Sequence, residues 1–377
     1  MIRLLTIIGA RPQIIKAAAI SRAVRQKFSK QVEEHILHTG QHYDENMSAV
    51  FFRELGIPDP DYNLHVGSET HGVQTARIIE GIESVLSEQH YDGVIVYGDT
   101  NSTLAAAVAA SKIHVPVFHV EAGLRSFNMG MPEEINRIVC DQLSSILFTP
   151  TLTGLKNLQS EGFQTIKSRV RFADGREQKV VLSGDVMYDN AVYFSERAEK
   201  ECDIIERLGL KKKQFVLATI HRPANTDNIE NLKSILHALS DIAAQGMDVV
   251  LPLHPRTKKR VEDLGLKIGD DKFKVIEPVS FFEIIRLEKN AAIVMTDSGG
   301  VQKEAFFYGT PCVILRPETE WVEIVNAGAG IIADADYNRI IAAYDALVNK
   351  PVEFPALFGD GHASEKIISE IIDYLHV

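Results

Sequence analysis

Apolar residues along this chain fall into short runs that recur with a regular spacing, each followed by a polar turn and a longer helix-capable segment. The runs at residues 4–8, 35–38, 94–97, 117–120, 146–148 and 180–182 are rich in β-branched and other apolar residues. Runs this short and this continuously apolar predict strands buried on both faces, and the segments between them predict βαβ units. A charged, helix-capable stretch occupies residues 196–213, and a second set of runs then begins, at 216–219, 249–253, 275–276, 293–295 and 313–315. The pattern predicts an α/β chain of two similar parallel-sheet domains joined near residues 190–210. Residues 166–178, with Asp174-Gly175, read as a hairpin loop inserted late in the first domain. Neither low-complexity sequence nor a short tandem repeat interrupts the rhythm.

Composition narrows the class. A chain of 377 residues exceeds one comfortable core, which agrees with two domains. With 45% hydrophobic and 24% charged residues it has the make-up of an ordinary soluble globular protein. No apolar run approaches the roughly 20 residues that span a bilayer, and Met1-Ile2-Arg3 leads straight into a strand without a signal-peptide pattern, so a cytoplasmic protein is expected. Cys140, Cys202 and Cys312 are too scattered for a disulfide framework or a zinc site, in keeping with a reducing compartment. The formal charge of -11 argues against nucleic acid as a partner. It leaves phosphate open, since phosphate needs only local positive charge.

Polar residues gather where the predicted strands end. Gly9-Ala10-Arg11-Pro12, Gly98-Asp99-Thr100, His119 with Glu121 and Arg125, His221-Arg222, His254-Pro255-Arg256, Asp297-Ser298-Gly299-Gly300 and Arg316 all occupy such positions. Carboxyl ends of parallel strands are where open α/β sheets bind ligands. Two such edges facing each other would enclose a ligand between domains.

The stretch IVMTDSGGVQKEA, residues 293–305, reads as strand, glycine turn over residues 296–300, and helix from Val301. Such a unit gathers free N–H groups and the positive end of a helix dipole, and Gly299 and Gly300 let an anion approach the backbone: a phosphate site. Glu304, four residues after Gly300, stands where its carboxylate can accept both hydroxyls of an attached ribose, so the implied ligand is a nucleoside diphosphate. The alternative, in which Ser298 caps a helix and the glycines make a plain turn, stays open on these residues alone. In GARPQIIK, Pro12 suits the first helical position and Arg11 precedes it, either to meet a phosphate or as a solvated side chain at a helix start. The G-x-G-x-x-G spacing of a dinucleotide site is absent there. His42, Asp44 and Glu45 belong to a polar loop rather than a metal site, having no partner cluster of ligand spacing.

Four acids crowd residues 96–137. Asp99 closes the strand in YGDTNST, followed by residues that cap the next helix whether or not Asp99 does chemistry. His119 and Glu121 share one side if their strand continues, and Gly123 then bends the chain. A glutamate at the end of an apolar strand is costly to bury without a partner or a role. In MPEEINR, Glu133 and Glu134 fall in a first helical turn, where carboxylates favour the dipole. Capping accounts for one of them and leaves Asp99 and Glu121 unexplained.

Taken in order, GARPQIIK, TGQH, YGDTNST, HVEAGLR, PEEINR, HR, DSGGVQKEA and GDGHASEKI resemble the motifs of the non-hydrolysing UDP-N-acetylglucosamine 2-epimerase family over essentially the whole chain. The resemblance implies two Rossmann-like domains in the GT-B arrangement, residues 1–190 and 191–354, with a C-terminal helix at 355–377 returning to the first, and a homodimer. It implies Asp99, Glu121, Glu133 and His221 as catalytic residues, and Arg11, Arg137, His254, Ser298, Gly299, Gly300, Glu304 and Arg316 as binding residues for UDP. No metal or redox cofactor is expected. The implied reaction inverts C2 of a UDP-2-acetamido sugar, for surface polysaccharide synthesis, by eliminating UDP to a 2-acetamidoglucal and adding it back. A GT-B glycosyltransferase or a non-catalytic UDP-sugar sensor is the alternative. Three departures stand out: Ala224 where the family often has Glu in H-R-x-E-N, a longer TGQHYDENM, and Ser183-Gly184-Asp185 in place of a G-N start. They resemble the subgroup acting on UDP-2,3-diacetamido-2,3-dideoxyglucuronate.

Overall fold

A computed structural model describes residues 1–41, 55–163, 172, 175–253, 255–263, 265, 268–348 and 350–376. The chain divides into two compact units, one of residues 1–190 and 356–377 and one of residues 191–355. The predicted loop motif at His42, Asp44 and Glu45, most of the predicted hairpin insertion, and His254 lie outside the described residues.

The first unit is built on β1 (Ile2–Ile8), β2 (Val32–His38), β3 (Tyr62–Asn63), β4 (Gly93–Tyr97), β5 (Val117–Val120), β6 (Ile146–Thr149) and β7 (Lys179–Leu182). They form one parallel sheet in the order β3-β2-β1-β4-β5-β6-β7. The second holds β8 (Phe215–Thr219), β9 (Asp248–Pro252), β10 (Phe273–Ile276), β11 (Ile293–Thr296), β12 (Cys312–Ile314) and β13 (Gly330–Ile332), parallel in the order β10-β9-β8-β11-β12-β13. The expected α/β class with two Rossmann-like sheets is therefore observed. β3 and β13, of two and three residues at sheet edges, have no counterpart in the apolar pattern, because so short a run carries no periodic signal.

Burial on both faces explains why the strands are apolar throughout. In the second unit Val216, Val249 and Met295 face one cluster with Leu232, Ile235 and Ile340, while Phe215, Leu217 and Val294 face another with Ile205 and Leu287. The stretch expected to be helical over 196–213 is two helices, Val186–Glu201 and Ile204–Arg207. The final helix, Ala363–His376, packs on the first unit, where the buried carboxylate of Asp189 accepts the N–H groups of Ala363 and Ser364 at its start.

Both sheets reverse their winding at one place: between β1 and β4, and between β8 and β11. Chain segments leaving those strand pairs diverge to opposite sides, and the crevice they leave is where α/β sheets take ligands. Gly9 to Arg11 and Gly98-Asp99 leave the first pair; His221-Arg222 and Asp297-Ser298 leave the second.

Candidate active site

In the first unit a single glutamine ties the two sides of the crevice. Gln13 Oε1 accepts the N–H groups of Gly9 and Ala10, and its Nε2 donates to the Tyr97 carbonyl at 2.9 Å and to Thr103 Oγ1 at 3.0 Å. Gly9 is required by space, since a Cβ there would stand 2.2 Å from Thr39 Oγ1 and 2.3 Å from Ser102 Oγ. The helix Arg11–Ala23 then starts with Pro12 in its first turn and Arg11 exposed at its N-terminal end.

Lys16, one turn further along that helix, is the residue that the sequence reading missed. Its Nζ lies 2.6 Å from Glu121 Oε1, with both side chains only 10% exposed, and it supplies the partner that a buried glutamate needs. β5 ends at Val120 and Glu121 turns to a left-handed backbone, φ 74°, so the alternation that would have put His119 and Glu121 on one side stops there. No local pattern marks Lys16, because it is 105 residues from Glu121.

Asp99 does not cap the helix Asn101–Lys112. Thr100 does, accepting the N–H of Thr103. The Asp99 carboxylate instead pairs with Arg137, whose other nitrogen lies 2.9 Å from Glu134 Oε2. Burial pushes the Asp99 carboxyl up; Arg137 and Lys16 oppose this in part, and the charge of Glu121 adds to it. The two glutamates of PEEINR separate cleanly. Glu134 is buried and accepts from Ser126 N, Ser126 Oγ and Phe127 N, all at 2.9 Å, which secures the loop before its helix. Glu133 is exposed on that helix's first turn. Arg137, expected at the nucleotide, is placed between Asp99 and Glu134 in the first unit.

In the second unit the organising residue is Asp297, fully buried at the end of β11. Its carboxylate accepts the N–H groups of His221 and Arg222 and the Asn225 side chain at 3.1–3.2 Å, and His221 Nδ1 lies 3.1 Å from Oδ1. Burial works against its charge, yet His221, Arg222 and Asn225 together hold its pKa below the ordinary value. The His221 ring is left 61% exposed.

Ser298 caps the helix Gly299–Phe307, so Gly299 and Gly300 are its first residues rather than a turn. Neither has positive φ. Gly299 instead leaves room for a neighbouring side chain: a Cβ there would fall 2.2 Å from Glu320 Oε1, and the Glu320 carboxylate would have to move aside. Glu320 in turn pairs with Arg316 at 2.9 Å, which brings a guanidinium to the same helix start. The cap uses only the N–H of Val301, so it is compatible with an anion at the N–H groups of Gly299 and Gly300.

Glu304 is half-buried on that helix. Beneath it Glu288 is fully buried in the helix Phe281–Asn290, with neither carboxyl oxygen hydrogen-bonded. Burial first, then the charge of Glu304, push the Glu288 carboxyl well above the usual range. In the unfolded chain this group ionises above its ordinary value of 4.5, while the folded protein keeps it neutral, so stability is lost as pH rises from there toward the folded pKa. Glu288→Met removes an unsatisfied buried group costing about 1–3 kcal/mol. It is expected to raise the unfolding midpoint, at about 2–4 °C per kcal/mol, with a larger gain at pH 8 than at pH 5 in calorimetry. An equal gain at both pH values would contradict this account.

Comparison with known proteins fits this geometry. Residues 25–372 match the family model described as UDP-N-acetylglucosamine 2-epimerase. The chain belongs to the UDP-N-acetylglucosamine 2-epimerase family. It is 48% identical over 366 residues to the UDP-2,3-diacetamido-2,3-dideoxy-D-glucuronate 2-epimerase of Pseudomonas aeruginosa, covering 97% of this chain and 98% of that one. To the UDP-N-acetylglucosamine 2-epimerase of Methanocaldococcus jannaschii it is 41% identical over 372 residues, covering 97% and 98%. The crystal structure of the M. jannaschii enzyme with UDP-GlcNAc and UDP aligns with a TM-score of 0.82 at 40% identity, over 98% of this chain and 99% of that one. Among the described residues of this epimerase-family chain no group of three His, Cys, Asp or Glu is spaced to hold a metal ion, and no helix is long and apolar enough to cross a membrane.

Proposed function

We propose that this protein inverts C2 of a UDP-2-acetamido sugar by eliminating UDP and adding it back, and that its substrate is UDP-2,3-diacetamido-2,3-dideoxy-D-glucuronate in preference to UDP-N-acetylglucosamine. The C2 hydrogen of such a sugar is not beside a carbonyl and is barely acidic, so direct deprotonation is closed. Breaking C1–O first builds positive character at C1 that nearby carboxylates stabilise, and the C2 proton then becomes removable. The leaving diphosphate goes to side-chain donors and a helix start: Arg11, His221, Arg316 and the N–H groups of Gly299 and Gly300, with Glu304 on the ribose. His254 completes this set by the motif alone. Each charge-assisted hydrogen bond contributes about 1.5–3 kcal/mol.

The observation that carries the reading is the pair Asp99 and Glu121 at adjacent strand ends, each beside a cation, Arg137 for Asp99 and Lys16 for Glu121. Asp99 has its carboxyl pushed up, which suits a proton donor, while Glu121 faces an ammonium at 2.6 Å, which suits a base. Two such groups can remove a proton from one face and deliver one to the other. Glu133, exposed on the neighbouring helix, is the third acid assigned to the sugar. A glycosyltransferase would instead pass the sugar to an acceptor and has no use for a second acid of this kind.

The preference for the uronate rests on the 48% likeness to the P. aeruginosa enzyme and on Ala224, exposed in the short helix Pro223–Thr226 three residues after His221. A glutamate there would repel a C5 carboxylate, by roughly 4 kcal/mol for charges about 4 Å apart at an effective dielectric near 20. In D₂O without acceptor, the wild type is expected to exchange the C2 hydrogen of the uronate faster than that of UDP-N-acetylglucosamine. Ala224→Glu should lower kcat/KM on the uronate more than on the neutral sugar. No exchange on either sugar would sink the epimerase reading; exchange on the neutral sugar alone would sink only the preference. A cytoplasmic homodimer serving surface polysaccharide synthesis belongs to the same proposal, and a monomeric mass in light scattering would remove the dimer.

A further inference from the structure

The turns that carry Asp99 and Glu121 are gripped by one buried device that the proposed chemistry does not use. His119, the third residue of β5, is fully buried. Its Nδ1 lies 2.7 Å from Asp141 Oδ1, and its Nε2 lies 2.8 Å from the Gly98 carbonyl oxygen. A carbonyl oxygen only accepts, so Nε2 carries a hydrogen and donates it. Asp141 also faces the Arg125 guanidinium at 2.8 Å and accepts the Gly123 N–H at 3.2 Å, so it stands among donors as an acceptor. Nδ1 therefore donates as well. A ring that donates from both nitrogens is an imidazolium. Burial works against that charge, but the Cys140 sulfur and the Asp141 carboxylate beside the ring outweigh it and hold the His119 pKa well above its ordinary value. Arg125 makes a two-pronged contact with Glu161 at the surface, so two buried cations face one buried and one exposed carboxylate.

What this network holds is backbone in the left-handed region. Gly98 has φ 62°, Glu121 φ 74° and Gly123 φ 79°. Positive φ is strained for a residue with a side chain and persists only where the surroundings impose it, and Glu121 lies between the ring of His119 and the anchored N–H of Gly123. Asp99 directly follows the carbonyl that His119 holds. Slack in either contact would move one carboxyl against the other.

We propose that His119 is a positioning residue for the sugar chemistry, a two-way donor between Asp141 and the Gly98 carbonyl that sets the spacing of Asp99 and Glu121. The inference rests on the assignment of those two carboxyls under the proposed function. Two variants separate its contacts. In His119→Asn the amide can still reach Asp141 but is too short for the Gly98 carbonyl, whereas His119→Gln carries its amide out to the position of Nε2. His119→Asn is expected to lower kcat by about 10²-fold with KM and UDP affinity within about threefold, the size of effect that a misplacement near 1 Å produces. His119→Gln should recover at least about tenfold of that loss. In the intact protein, ¹⁵N NMR of the ring should show both nitrogens protonated at pH 8, a reading that does not depend on either variant folding. Normal kcat in His119→Asn, no recovery in His119→Gln, or a neutral ring at pH 8 would each overturn the proposal. A wild type that exchanges no C2 hydrogen overturns the functional reading and this inference with it, whereas an active wild type confines any failure to His119.

Discussion

Asp99→Asn and Glu121→Gln are each expected to lower turnover by about 10²- to 10⁴-fold while UDP affinity stays within about threefold. The split follows from where the groups lie. Both carboxyls belong to the first unit, beside Lys16 and Arg137, whereas the residues assigned to the diphosphate and ribose, apart from Arg11 and Arg137, belong to the second. Glu121→Gln also leaves a Lys16 ammonium buried without its carboxylate, so a modest fall in the unfolding midpoint should accompany its loss of rate. Asp99→Asn has no comparable burden, because Arg137 keeps Glu134. Glu133→Gln distinguishes chemistry from dipole stabilisation at an exposed helix start. A large fall in kcat there makes it the third working acid; near-normal turnover returns it to the helix dipole. Steady-state rates with isothermal titration of UDP provide the check, and a parallel fall in UDP affinity for Asp99→Asn would contradict the division of labour.

Asp297→Asn should cause the largest loss of stability among these changes, on the order of 3 kcal/mol, since it weakens hydrogen bonds to a buried carboxylate worth about 1.5–3 kcal/mol each. Those bonds set the turn at His221 and Arg222. The folded pKa of Asp297 is depressed, so its contribution is fully present above the unfolded value of 3.8 and disappears as pH falls through the folded one. The gap in unfolding free energy between wild type and variant is therefore expected to be widest near neutrality and to narrow as pH falls below about 4. UDP at about 100 times its dissociation constant should stabilise the wild type by roughly 2.7 kcal/mol, and the variant by less, because His221 is no longer held toward the phosphate. Denaturant titrations at pH 7 and pH 3.5, with and without UDP, read both effects. Absence of any UDP shift in the wild type would remove the nucleotide site at Ser298.

The sequence by itself determined the alternation of buried strands and helices, the two α/β sets, and the gathering of reactive residues at strand ends. Those features are local: an apolar run of four to seven residues between helix-capable segments has few other ways to hide its surface. It also marked Asp99, Glu121, His221 and Ser298 by their positions after such runs. Only the tertiary structure decided which of them meet, and what holds them. Lys16 reaches Glu121 across 105 residues, and Asp297 anchors His221 across 76, because the sheet orders lay β1, β4 and β5 side by side in one unit and β8 beside β11 in the other. Glu133 and Glu134 are indistinguishable as letters; a helix turns successive residues about 100° apart, and that rotation buries one under the loop at Ser126 and leaves the other in solvent. Gly299 reads as a turn residue in the sequence and is a helical one in the fold, since Ser298 caps the helix directly before it, and the Glu320 carboxylate that packs against it is brought in by the segment after β12 and invisible to any local pattern.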